Sequence, residues 1–304
     1  MALYEACYSG NLEKIKKILN NNSKINVNWA NLDNGGFTSF SIACFWGHLE
    51  IVKYMMNDNR IDINKSNDEG YTPFFIACSR GHLEIVKYMM NDSRIDLNKA
   101  DKFGNTPFII ACYYGHLEII KIMMKNKKID VCKANNNGST SFAMICQHVV
   151  LINNQLLRLE ILSYMMKDSR LDFNKADKDD ITPFHHACKR YRDISRFEMI
   201  KYMLNDFRVD INKADKNGIQ PFTSACLYNT PNIIKCFLLS KRYIIIDFKN
   251  NFSEEIYFLI NKYNINSLNK ESTISVLSKN ILFMANCADG NINYIKKIIK
   301  HKKY

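Results

Sequence analysis

The sequence predicts an all-α solenoid of stacked helix-turn-helix units with projecting turns, and three observations predict it. A Thr-Pro-Phe-like tetrad returns at a fixed spacing. A Gly-His-led apolar segment recurs behind it almost unchanged, and cysteine keeps one slot per unit. Self-similarity of this kind outranks local structure readings, because a unit too small to bury its own apolar face must bury it on its neighbours.

The tetrads set the frame. Phe37-Thr38-Ser39-Phe40, Tyr71-Thr72-Pro73-Phe74, Asn105-Thr106-Pro107-Phe108 and Ser139-Thr140-Ser141-Phe142 start units 34 residues apart. Ile181-Thr182-Pro183-Phe184 and Ile219-Gln220-Pro221-Phe222 follow after longer steps of 42 and 38. Gly47-His48-Leu49-Glu50-Ile51-Val52-Lys53-Tyr54-Met55-Met56 recurs from Gly81 to Met90, and with small changes from Gly115 to Met124.

Each element of a unit has a local reason. Thr caps the first helix, and Pro fits its first turn, where a missing N–H costs nothing. Ala77 and Cys78 lie late in that helix, and Gly81 lets the chain leave it. Leu83, Val86, Met89 and Met90 are spaced for one buried face of the second helix. The polar stretch Asn98-Lys99-Ala100-Asp101-Lys102-Phe103-Gly104 then turns towards the next unit.

The stretch Thr72-Pro73-Phe74-Phe75-Ile76-Ala77-Cys78-Ser79-Arg80-Gly81-His82 resembles the ankyrin signature, in which Thr-Pro-Leu-His leads to a small-residue pair and then Gly-His. The resemblance runs over roughly residues 37 to 250. It implies β-hairpin fingers between the helix pairs and a role in protein–protein contacts. The unit is one residue longer than the usual ~33, and the loop Asn91-Asp92-Ser93-Arg94 holds the extra residue. Phe75, Ile109 and Thr223 stand where the family has His, which His185 keeps.

The whole chain, 1–304, is expected to form a single array: a cap-like unit over 1–36, six clear repeats over 37–250, and a degenerate unit with a C-terminal cap over 251–304. Leu3 to Leu12 resemble a first unit lacking its Thr-Pro turn, and Cys287-Ala288-Asp289-Gly290-Asn291-Ile292 echoes it. The insertion Gln147–Arg158 is too apolar for a free loop and is expected to lengthen both helices of its unit. A shorter basic insertion, Lys189 to Arg196, follows one unit later, and the two together predict a local bend.

Composition narrows function by exclusion. The densest aliphatic cluster, Tyr243-Ile244-Ile245-Ile246, is far shorter than the ~20 apolar residues of a membrane helix, and no basic-then-apolar leader opens the chain. A cytoplasmic monomer without membrane insertion is expected. Cys7, Cys44, Cys78, Cys112, Cys146, Cys188, Cys226 and Cys287 share one slot, so equivalent sulfurs lie on the order of 10 Å apart, too far for a disulfide or a zinc site. They read as small buried hydrophobes of a reducing compartment. His48, His82 and His116 read as packing residues at the second helix, and phosphate loops or zinc-protease motifs are absent. No enzyme, cofactor, metal or small-molecule substrate is expected.

Charge leaves two partner classes open. Net charge is +12, and residues 235–304 hold 12 Lys and Arg against 5 Asp and Glu. Lys65, Lys99, Lys133, Lys175 and Lys213 form a column that the column Asp62, Asp96, Asp130, Asp172 and Asp210 largely cancels. A solvated face is the expected reading of both. By the family resemblance, variable positions at the finger tips and the exposed side of the first helix hold the partner. These are Phe37, Phe45, Trp46, Glu69, Tyr71, Ser79, Arg80, Phe103, Tyr113 and Tyr114, with Lys178, Lys189, Arg190, Lys216 and Tyr228 farther along. The leading expectation is a scaffold or adaptor for a protein partner on this concave face. The alternative is an acidic or polyanionic ligand, nucleic acid or anionic lipid, held by the fifth and sixth repeats and the tail.

Overall fold

The computed structural model describes residues 1–22, 24–147, 155–188, 194–227 and 231–240. The expected C-terminal cap, and Lys189, Arg190 and Tyr228, lie outside them. The chain divides into two compact units, Met1–Asp172 and one beginning at Phe173.

The first unit is a double row of short helices. Its inner row is α1 (Ala2–Tyr8), α3 (Ser39–Trp46), α5 (Pro73–Arg80), α7 (Pro107–Tyr114) and α9 (Ser141–Gln147). Its outer row is α2 (Leu12–Asn21), α4 (Leu49–Met56), α6 (Leu83–Met90), α8 (Leu117–Lys125) and α10 (Gln155–Met165). Each inner helix packs on the next inner one, each outer helix on the next outer one, and each pair on itself. In the second unit α11 (Pro183–Cys188) packs on α13 (Pro221–Leu227), and α12 (Ile194–Leu204) packs on α14 (Pro231–Leu239).

The predicted caps are present. The hydroxyls of Thr38, Thr72, Thr106 and Thr140 accept the N–H of the third residue onward, at 3.1–3.2 Å. That satisfies one of the donors a helix start leaves open. Behind each cap one phenylalanine is sealed: Phe40, Phe74, Phe108, Phe142, Phe184 and Phe222. The Ala-Cys pairs beside them are equally inaccessible, because only small side chains let neighbouring inner helices approach. Burial pushes the thiols of Cys7, Cys44, Cys78 and Cys112 upward, so they pack as neutral groups.

A second seal lies beyond the outer helices. Ile61 and Ile63, Ile95 and Leu97, and Ile129 and Val131 are buried pairs, alternating with exposed Asp62, Asp96 and Asp130. Three polar devices join consecutive units here. Asn28, Asn64 and Asn98 each donate to a carbonyl one unit on (Arg60, Arg94, Lys128) and accept the N–H of Asp62, Asp96 or Asp130, at 2.7–2.9 Å. The lysine column is partly internal: Lys65 Nζ donates to the Asn28 carbonyl at 2.9 Å and Lys99 Nζ to that of Asn64 at 3.2 Å.

The third device explains the extra residue of the period. Arg94 pairs with Asp92 in its own loop at 2.6 Å and donates to the Met56 carbonyl at the end of the preceding outer helix at 2.8 Å. Arg60 does the same with Asp58 and Leu19, and Arg170 with Asp168 and Met124. The loop in which the extra residue is expected is also where an arginine reaches back to a helix C-terminus.

One expectation needs correction. Among the described residues only the first finger is a paired hairpin, β1 (Ala30–Asn31) against β2 (Phe37–Thr38). In later fingers one side chain closes the turn instead. Asn67 Oδ1 accepts the N–H groups of Glu69 and Tyr71, and Asp101 and Asn135 act alike. Adjacent fingers are then tied by Asp68 N to Gly35 O, Lys102 N to Glu69 O, and Asn136 N to Phe103 O. The second helix of the unit that holds the apolar insertion, α10, runs 11 residues against 8 in α4 and α6; the expected lengthening of its first helix, α9, falls on residues outside those described. The rest of that insertion, 148–154, and residues 189–193 of the next, on which the expected bend depends, lie outside the described residues.

Candidate partner-binding surface

The candidate residues of the first unit sit where inner helices end and fingers begin. The two residues before each helix-ending glycine form two adjacent columns: Tyr8, Phe45, Ser79 and Tyr113, beside Ser9, Trp46, Arg80 and Tyr114. The glycine ends the helix with positive φ, so these side chains stand at a terminus and not in a groove.

The structure brings four of the predicted residues into one connected cluster. Phe37 meets Phe45 edge-on with ring centroids 5.9 Å apart, and Phe45 meets Trp46 at 5.2 Å. The Arg80 guanidinium lies over the Phe45 ring, 3.6 Å from its centroid. Such a contact holds the arginine flat while leaving its edge N–H groups free for a partner. Phe45 and Phe37 are half-buried and act as the base; Trp46 is 46% exposed and stands above them.

One member was missed in the sequence. Tyr8 meets Trp46 edge-on at 5.2 Å and is 53% exposed. It occupies the slot of Phe45 and Tyr113, and that register was readable from Cys7. The absence of a Thr-Pro turn in the first unit drew attention away from it.

Tyr113 and Tyr114 form a second pair, edge-on at 5.0 Å. Tyr113 is half-buried, while Tyr114 is 40% exposed and stacks on His116. Tyr71 is half-buried and stacks flat on Phe75 at 4.7 Å. Burial and the nearby Asp101 and Glu69 raise the Tyr71 phenol above its usual range, so it stays neutral. Phe75 in place of the family's histidine thus gains a stacking partner. Glu69 and Phe103 are exposed at the tips of successive fingers.

The histidines after the glycines hold this surface in place. His82 Nε2 lies 3.0 Å from the Phe45 carbonyl, and His116 Nε2 lies 2.9 Å from the Ser79 carbonyl. Each ring also covers the glycine one unit back: a Cβ on Gly47 would stand 2.6 Å from His82 Cε1, and one on Gly81 equally close to His116. The expected packing role of these histidines is what the geometry shows.

In the second unit Lys178 and Lys216 are both exposed on fingers. Lys216 pairs with Asp179, which holds its ammonium above the usual range. Asp177, Asp179, Asp180 and Asp215 share these two fingers, so their described part is not a basic patch. His185 is sealed, with Nδ1 2.8 Å from the Thr182 hydroxyl and Nε2 2.9 Å from the Ile219 carbonyl. His186 faces Asp177 at 3.1 Å. Among the described residues no group of three or more His, Cys, Asp or Glu is placed to hold a metal, and no helix is long and apolar enough to cross a membrane.

No curated protein matches the chain. Family models do: one described as ankyrin repeats in three copies matches residues 1–67 and 59–135, and one described as ankyrin repeats in many copies matches residues 195–238. Repeats of this type are generally protein–protein interaction modules. With stacked helix pairs in both units and the glycine-histidine joints of the first, these matches mean that the chain belongs to the ankyrin repeat family.

Proposed function

We propose that the chain is a non-enzymatic adaptor that holds a protein partner on the aromatic surface of its first unit. The single observation behind this reading is the cluster Tyr8–Trp46–Phe45–Phe37 with Arg80 laid across it. Trp, Tyr and Arg are the side chains that most often dominate interface energetics. Isolated exposed apolar residues need no explanation, but rings in mutual contact form the continuous patch that does. Half-buried Phe37 and Phe45 fix Trp46 in one orientation, so little rotamer entropy remains to be lost on binding.

The fingers beside the cluster carry Asp33, Asp68 and Glu69, which favours an apolar segment with a basic flank over an acidic one. Cys7, Cys44, Cys78 and Cys112 are packed as buried neutral thiols, which favours a reducing compartment such as the cytoplasm.

The test is capture of partners by the full chain and by Trp46→Ala with Tyr114→Ala, each at two salt concentrations. An aromatic-anchored complex is lost in the double variant, each ring contributing ~2 kcal/mol, and changes little with salt. Steep weakening between roughly 50 and 200 mM salt, with the double variant unaffected, would instead support a polyanion complex. In that case neutralising Lys296, Lys297, Lys300, Lys302 and Lys303 removes it.

A further inference from the structure

The arginine clip that joins consecutive units of Met1–Asp172 is present at three joints and missing at one. Arg60, Arg94 and Arg170 donate to the carbonyls of Leu19, Met56 and Met124, each at the end of the outer helix one unit back. At the remaining joint the corresponding loop reads Asn126-Lys127-Lys128, so both clip residues are changed. Asn126 keeps only the turn, its Oδ1 accepting the Lys128 N–H at 2.9 Å. A lysine lacks the planar fork that spans a carboxylate and a carbonyl together.

A pocket lies beside this joint. An open pocket of about 170 Å³ is lined by Met90, Asp92, Ser93, Asp96, Asn98 and Lys128, with Ile95 and Leu97 as its apolar floor. Met90 is the last residue of α6 and the counterpart of Met56 and Met124. Arg94 N–H donates to Asp92 Oδ1 within its own loop. Asp96 is exposed and its carboxylate accepts a hydrogen bond from Asn98 N at 3.0 Å. The pocket therefore sets the last residue of α6 and a carboxylate beside the apolar side chains of Ile95 and Leu97.

We propose that this pocket is a receptor for an arginine side chain brought by a partner protein, which takes the place that Arg60, Arg94 and Arg170 take at the other joints. The guanidinium donates to the Met90 carbonyl and to Asp96, while its methylene stem covers Ile95 and Leu97. Lys128 is exposed and swings aside. Recognition here is separate from the aromatic surface, so it stands or falls independently of the adaptor reading.

The experiment titrates the full-length protein with two probes, acetyl-Gly-Arg-Gly-amide and acetyl-Gly-Lys-Gly-amide, followed by amide chemical shifts. The expected result is saturable, low-millimolar shifts confined to residues around Met90–Asn98 and Lys128 with the arginine probe. The lysine probe binds roughly tenfold more weakly, because it is a point donor without the fork. The double variant Asn126→Asp/Lys128→Arg rebuilds the clip from within; it is expected to melt higher than the parent and to lose the arginine-probe shifts. Asp96→Asn, a surface change that keeps the Asn98 turn acceptor, is expected to weaken the probe several-fold. Equal binding of both probes, shifts scattered over other acidic loops, no saturable shift, or full binding by the rebuilt-clip variant would each overturn the proposal.

Discussion

At the scale of single residues, the joints depend on glycines for two separable reasons. Gly81 has φ +79 and a His116 ring 2.6 Å from where a Cβ would stand. Gly35 has φ +63 and nothing within 4 Å of that position. Gly35→Ala therefore meets only the left-handed backbone cost, about 1 kcal/mol. Gly81→Ala meets that cost and also displaces the histidine from the Ser79 carbonyl, for a total of roughly 2–3 kcal/mol. Urea unfolding of the two variants measures the difference; equal losses would mean that the histidine cover contributes nothing. Asp180 is the reverse case, a non-glycine at φ +56 where the neighbouring fingers hold Gly70, Gly104, Gly138 and Gly218. Asp180→Gly is expected to raise the unfolding midpoint by about 0.5–1 kcal/mol equivalent, since the strain of a left-handed side chain is removed.

Among the elements, what the sequence made legible was whatever repeats in phase. The threonine caps, the Phe and Ala-Cys columns and the length of the second helix all follow from residue type at a fixed offset. The loop that holds Arg94 was legible as a loop, yet its contact was not visible, because the carbonyl that Arg94 reaches belongs to a backbone atom 38 positions earlier. Backbone acceptors leave no mark in a sequence. The same holds for the lysine column, which reads as solvated charge until Lys65 and Lys99 are seen donating to the unit before. For the candidate surface, the residue types were legible but their grouping was not: Phe37, Phe45, Trp46 and Arg80 converge because helix α3 ends at Gly47 and places its last two rings beside the next unit.

These joints predict two graded effects. Arg94→Ala removes the bond to the Met56 carbonyl and leaves Asp92 without its partner; the exposed ion pair itself adds little, so a loss of about 1 kcal/mol is expected. At the next-but-one joint Cys132 replaces the asparagine of the ladder, its thiol donating to the Arg170 carbonyl at 2.9 Å. A carboxamide is the stronger donor and also a good acceptor. Cys132→Asn is therefore expected to stabilise by about 0.5 kcal/mol, read as a rise in the thermal midpoint; a fall would show that the thiol packs better than the ladder bonds.

For the molecule as a whole, the joints make stability depend on pH in a direction that can be worked out. Burial lowers the His116 pKa below 6.5, against a smaller upward pull from the Ser79 carbonyl. The folded state thus binds a proton less readily than the unfolded one, so stability is unaffected above 6.5 and falls as pH drops below it. Lower still, the bonds from Arg60, Arg94 and Arg170 hold the carboxyls of Asp58, Asp92 and Asp168 below 3.8. These pairs contribute fully above 3.8, and their contribution is lost as pH falls through the depressed values. A chain already at +12 also gains positive charge and self-repulsion throughout this range. Thermal melts are therefore expected to shift down in two stages, a first between pH 6.5 and 5 and a second below pH 4. His116→Gln keeps an N–H donor for the Ser79 carbonyl but cannot titrate, so it flattens the first stage and leaves the second. A first stage that persists unchanged in this variant would place its origin in another group and remove the histidine joint from the account of acid sensitivity.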